Sequence, residues 1–437
     1  MNFNLNQIRE QFPALAQYHN DRPVTFFDGP GGSQVPQSVL DSMVSYLGHF
    51  NSNLGGHYFS SQATVDVMQS ARESAQALLN APSSGNIVFG ANMTSLTFQL
   101  SRAISRDWKE GDEIIVSALD HYSNVSSWQQ AAEDKGVIVH QVKINEHDCT
   151  LDLEHLQSLL SEKTRLVAVT YASNTTGSIV DIHQVVELAH RIGAQVYVDA
   201  VHYAPHHLVD VQAIGCDFLA CSAYKFFGPH VGIAYIADQW LHSIKPYKVE
   251  PATNIGPGRF ETGTQSFEGL AGVTAAIEYL AQFGDEGASL RQRLEQSYAL
   301  YNQHEQQLSA HFLQRLSALD GVNLFGINDE SSQLRTPTFA LTFDKYAPEF
   351  IAKTLGEHNI CVWNGHFYAL GLVRQLGLEE SGGVVRIGCM HYIYALGLVR
   401  QLGLEESGGV VRIGCMHYNT TAEIDMLFDV LESILDA

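Results

Sequence analysis

Between Asn86 and Ile236, short apolar runs rich in β-branched residues recur: NIVFG, DEIIVS, VIVHQVKI, TRLVAVTY, QVYVD, DFLACS and VGIAYI. Longer stretches with a 3.6-residue apolar rhythm follow several of them, starting near Asn92, His121 and Asp181. Short strands alternating with helices predict a mostly parallel sheet covered on both faces, an α/β fold. Ahead of this block, residues 1–20 read as an N-terminal arm with a short amphipathic helix. VTFFDGPGGSQVP reads as a strand and tight turn, and helices are expected at about 36–49 and 62–81. The GPGGS glycines lack the Lys-Ser/Thr that would follow in a P-loop, so they read as a turn. From Gly269 to about Leu319 the rhythm predicts long helices. TPTFALTF, APEFIAKTLGEHN and ICVWNGHFYA then read as a small α+β domain. The expected division is an arm (1–20), a large domain (21–268) and a small C-terminal domain (269–437).

A tandem repeat breaks this pattern near the end. YALGLVRQLGLEESGGVVRIGCMHY fills 368–392 and recurs unchanged at 394–418. Two units without caps make no solenoid. One helix and one arginine strand belong in the small domain, and extrusion through the polar EESGG stretch disturbs packing least. The first helix (369–377) and the second strand (410–417) are therefore expected in the fold, with Arg412 rather than Arg386 at the site.

Composition narrows the function. The formal net charge of −22 disfavours nucleic-acid backbones and anionic membranes as partners. No run approaches a membrane span, and the first residues lack the basic and apolar regions of a signal peptide, so a cytoplasmic protein is expected. The six cysteines (149, 216, 221, 361, 389, 415) form no CxxC pair and read as buried free thiols. His202, His206 and His207 cluster without further ligand-type residues, and no metal is expected.

The chemistry lies in QVYVDAVHYAPHHLVDVQAIGCDFLACSAYKFFGPHVGIAYI, residues 195–236. Asp199 ends one strand, and Lys225 follows the next. A buried carboxylate can keep a pyridine nitrogen protonated, and an amine can hold an aldehyde covalently, which is what pyridoxal phosphate requires. A helix cap and a surface lysine are the plainer readings of the same two residues. Further upstream, Asn92, Met93, Thr94 and Ser95 open a helix whose amides suit a phosphate, or whose Thr94 is simply the N-cap.

VDAVHYAPH followed by DFLACSAYKFFGPHVGIAYI resembles the lysine region of the class V aminotransferase family, most closely its cysteine desulfurase-like branch. RFETGT at 259–264 is similar as well. The resemblance implies a fold-type I pyridoxal-phosphate transferase, with a seven-stranded, mostly parallel sheet in the large domain. It implies that Lys225 carries the cofactor and shuttles the Cα proton, and that Asp199 faces the ring nitrogen. His121 would stack on the ring, while Asn174 and His202 address its phenolic oxygen. Thr94, Ser222 and Tyr224 would hold the phosphate, joined by Thr264 across a homodimer with shared sites. Arg412 (or Arg386) would pair with the carboxylate of an amino-acid substrate, as its planar fork allows.

One departure bears on the reaction. The branch carries a mobile cysteine in an Arg-x-Gly-His-His-Cys stretch, where this chain has Trp363, Asn364, Gly365, His366, Phe367 and Tyr368. Tyrosine forms no persulfide, and the nearby Cys361 lies in a strand. The expected activity is therefore C–S β-elimination without a protein persulfide. The alternatives are transamination as in a class V aminotransferase, amino-acid epimerisation, or a non-catalytic dimer impaired by the duplication.

Overall fold

The computed structural model describes residues 3–330, 333–378 and 410–436. Seven strands form the large sheet: Ile87–Gly90 (β1), Glu113–Ser117 (β2), Ile138–Val142 (β3), Thr164–Thr170 (β4), Gln195–Asp199 (β5), Phe218–Ser222 (β6) and Gly232–Ile236 (β7). Their order is β1-β7-β6-β5-β4-β2-β3. All neighbours are parallel except β7, which runs antiparallel to both β6 and β1.

The apolar runs are continuous because both faces are covered. Alternate residues separate cleanly: Phe89, Ile115, Val167, Val196, Val198 and Leu219 enter one core, while Val88, Ile114, Leu166, Tyr197 and Phe218 enter the other. Gln37–His49 (α1), Phe59–Leu79 (α2) and Phe267–Leu280 (α5) pack together on the first face. Met93–Ile104 (α3) and Ser123–Glu133 (α4) cover the second.

A 27-residue helix, Leu290–Leu316 (α6), starts at a Ser289–Gln292 capping box and leads to a second sheet. That sheet comprises Val322–Phe325 (β8), Thr338–Phe343 (β9), Trp363–Gly365 (β10) and Val410–Gly414 (β11), in the antiparallel order β8-β9-β11-β10. Its core joins Phe312 of α6, Phe339, Leu341, Val411 and Ile413 to Leu427, Phe428 and Leu431 of Thr421–Leu435 (α8).

The repeat is divided between its copies as expected. Leu370–Gln375 of the first copy is a helix (α7), and Val410–Gly414 of the second is the strand between β9 and β10. Helix α7 docks on the large sheet. Gln375 exchanges two hydrogen bonds with the Ile144 backbone, at 2.8 and 2.9 Å, and Gly371 sits where any side chain would collide with Ala118. After β11 the second copy continues into the core, with Cys415, Met416, His417 and Tyr418 all buried. Arg386, Cys389 and the EESGG stretches lie outside the described residues. Among the described residues no helix is long and apolar enough to cross a membrane.

Candidate active site

The carboxyl ends of the parallel strands converge, as open α/β sheets direct their ligands to do. Asp199 is the last residue of β5 and is buried; its Oδ1 accepts the Val201 amide at 2.9 Å. Burial pushes its carboxyl up to about 6, held back by that amide and by the Lys225 charge. Lys225 ends a tight turn, Ala223–Lys225, that leaves β6. Its ammonium group is buried, donates to the Pro30 carbonyl and lies 5.0 Å from the Tyr224 ring centroid. The Tyr224 ring in turn stacks on His230 at 4.8 Å.

Ser222, the last residue of β6, anchors the neighbouring helix: its Oγ accepts the Met93 amide at 3.0 Å. The sequence left open whether Thr94 caps this helix, but the cap is Asn92, whose Oδ1 accepts the Ser95 amide at 2.9 Å. Thr94 lies exposed in the first turn, where amides have no intrahelical partner. The backbone of β7 approaches Asn92 so closely at Gly232 that a Cβ there would strike it. Thr264, Ser95, Gln99 and His230 line one cleft of about 290 Å³ beside this helix start.

The opposite wall gathers His121, Asn174 and Arg412. His121 Nδ1 accepts the Ser123 amide at 3.1 Å, and the Ser123 hydroxyl lies 2.7 Å away. The neutral ring therefore carries its proton on Nε2. Asp120, beside it, takes hydrogen bonds from Ser117, Asn124 and the Thr170 amide, and burial pushes it up to about 8. Arg412, on β11, donates to the Asn174 carbonyl, and its guanidinium sits 4.4 Å from the Phe367 ring centroid. The Asn174 side chain donates to the Phe367 carbonyl at 3.0 Å, and its Oδ1 is buried without a partner among the described residues. His202 is buried and turns Nε2 towards the hydroxyls of Thr338 (3.0 Å) and Thr336 (3.2 Å), an arrangement with no sequence precursor.

Two segments have contacts in the site that the sequence did not assign. Residues 28–33, legible there only as a turn, line the site. The Pro30 carbonyl receives Lys225, Ser33 bonds both the Tyr224 carbonyl and the Phe227 amide, and Asp28 is held near Arg412. Burial pushes Asp28 up to about 7, against the opposing pull of its own backbone amide and of Arg412. An acid at a strand end before Gly-Pro-Gly-Gly was the available signal. The other is Phe367-Tyr368, which reaches back to His121: the Tyr368 and His121 rings lie 5.2 Å apart.

These residues fit pyridoxal phosphate. A buried amine and a buried carboxylate stand on adjacent strand ends, an asparagine oxygen awaits a donor, and a helix start with hydroxyls can take an anion. The fold and the site together define a fold-type I pyridoxal-phosphate enzyme. The Aminotransferase class-V family model matches residues 25–427, and the chain belongs to that family, whose cofactor is pyridoxal phosphate. Among its relatives is a cysteine desulfurase of Synechococcus elongatus, 31% identical over 394 residues, which cover 87% of this chain and 60% of that protein. A cysteine desulfurase of Escherichia coli O9:H4 is 30% identical over 394 residues, covering 85% of this chain and 91% of its own. The apo structure of cysteine desulfurase from Thermococcus onnurineus NA1 shares the fold, with a TM-score of 0.83, 22% identity and coverage of 99% and 98% of the two chains.

Proposed function

We propose that this enzyme cleaves the Cβ–S bond of L-cysteine or an S-substituted cysteine by β-elimination, releasing pyruvate, ammonia and a free sulfide or thiol. The observation that carries this reading is Tyr368. It occupies the position of the branch's persulfide-forming cysteine and stands beside His121, in the cluster that includes Arg412 and Asn174. Of the described cysteines, Cys149, Cys216, Cys221 and Cys415 are buried, and Cys361 lies in a two-residue strand paired with residues 25–26.

When bound, pyridoxal phosphate supplies an electron sink for the pair left at Cα. Lys225 would hold the aldehyde through Nζ and would take the substrate's Cα proton on that atom. Asp199 would keep the pyridine nitrogen protonated, and its burial would make that charge pairing strong. His121 would stack on the ring. Asn174 and His202 would address the phenolic oxygen, and the start of α3 with Thr94, Ser222 and Tyr224 would receive the phosphate. Arg412 would pair with the substrate carboxylate. In the same reading, residues 269–437 form the smaller domain that brings Arg412 over the substrate.

The enzyme works as a homodimer in this reading, with Thr264 serving the neighbouring site. Supporting it, α1 presents Leu40, Val44 and Leu47 on one exposed stripe, continued by Phe50, Leu54, Tyr58 and Phe59. Such contiguous apolar surface marks an interface. The buried thiols of Cys149, Cys216, Cys221 and Cys415 suit a reducing, cytoplasmic setting.

An absorbance spectrum tests the site. The purified protein, supplied with pyridoxal phosphate, is expected to show a visible band that shifts with cysteine, and Lys225→Ala to lack it. A band of equal intensity and response in Lys225→Ala would remove Lys225 from its role.

A further inference from the structure

Phe367 and Tyr368 both adopt left-handed backbone conformations, with φ of 51° and 58°. Two successive bulky residues there are costly and persist only where their surroundings hold them. Four hydrogen bonds do so: Asn174 Nδ2 to the Phe367 carbonyl (3.0 Å), the Tyr122 amide to the Tyr368 carbonyl (2.7 Å), the Tyr368 amide to His366 Nδ1 (3.1 Å) and the Ala369 amide to the His366 carbonyl (2.7 Å). Phe367 is buried beneath the Arg412 guanidinium. The turn thus sets Tyr368 beside His121, its ring 5.2 Å from the His121 ring and tilted 35° to it.

We propose that the Tyr368 hydroxyl is the acid that protonates the departing sulfur, a role that rests on the elimination reading above. A proton delivered to sulfur as it departs eases cleavage of the Cβ–S bond. As the Cα proton passes to Lys225 Nζ, the Cβ–S bond breaks with its electron pair on sulfur, and the Tyr368 proton joins that sulfur. One water then completes conversion of the remaining fragment to pyruvate and ammonia, so nothing is oxidised or reduced overall. The phenolate recovers its proton from solvent, which it can reach because the side chain is 56% exposed. A phenol in place of a thiol therefore changes where the sulfur goes: it leaves as free sulfide or thiol instead of staying on the protein. His121 holds the phenol in place through its ring face.

The test compares leaving groups in the cofactor-loaded enzyme. Cysteine needs a proton on sulfur, whereas β-chloroalanine releases chloride and needs none. Tyr368→Phe is expected to slow pyruvate formation from cysteine roughly a hundredfold, but from β-chloroalanine by less than about threefold. Equal losses on both substrates, or no loss on cysteine, would overturn the role of Tyr368. A wild-type enzyme that forms no pyruvate from either substrate would sink the elimination reading itself, so the two failures are distinguishable.

Discussion

Asp199 shows what could and could not be read at the scale of single residues. Its place at the end of an apolar run, one strand before Lys225, was legible because strand periodicity fixes where a run must end. Its electrostatics were not, since they depend on burial by the fold, opposed by an amide and a lysine that the fold brings in. They carry a prediction. A carboxyl raised from its ordinary 3.8 to about 6 binds its proton more tightly when folded, so its contribution to stability is full below about pH 4 and is lost as the pH rises through 6. Asp199→Asn has no such loss. The melting temperature of the apo variant, relative to wild type, is expected to climb between pH 4 and 7; a difference that stays flat with pH would refute the raised carboxyl. Asp28 and Tyr368 were hidden for a related reason. Each matters through a partner hundreds of residues away, Arg412 for Asp28 and His121 for Tyr368, which neither the turn after Asp28 nor the replaced cysteine at 368 reveals.

At the scale of elements, alternating strands and helices were legible almost throughout. A sheet buried on both faces leaves an unmistakable run of apolar residues, and the long helices kept their rhythm. The antiparallel β7 was not legible: a strand entering from the edge reads like any other buried strand. The repeat is the element with the sharpest consequence. Because its copies are identical, excising residues 393–418 gives the same chain as removing any other 26-residue window between them, including the one that joins Leu378 to Glu405. That chain keeps α7 and one arginine strand, with a connection of a few residues in place of 379–409. Closing the longer connection costs on the order of 1–2 kcal/mol more. The deletion should therefore raise the melting temperature by a few degrees and improve soluble yield. Unchanged or lower melting would mean that the extra residues contribute to the fold.

For the whole molecule, the question is how many chains make one site. The exposed stripe on α1 has Val44 at its centre, 69% exposed. An aspartate there would place a charge inside the proposed interface, which costs far more buried than on a free surface. Val44→Asp is expected to elute as a monomer in size-exclusion chromatography with light scattering and to retain less cofactor, since Thr264 would lose the neighbouring phosphate. A variant that stays dimeric would place the interface elsewhere.

The reaction itself is decided by its products. The cofactor-loaded enzyme is incubated with L-cysteine, and pyruvate, alanine, sulfide and protein-bound sulfane sulfur are quantified together. Elimination assisted by Tyr368 predicts pyruvate and sulfide in equal amounts, with no sulfane sulfur on the protein. Alanine accompanied by sulfane sulfur on the protein would contradict it and return the chain to desulfurase chemistry.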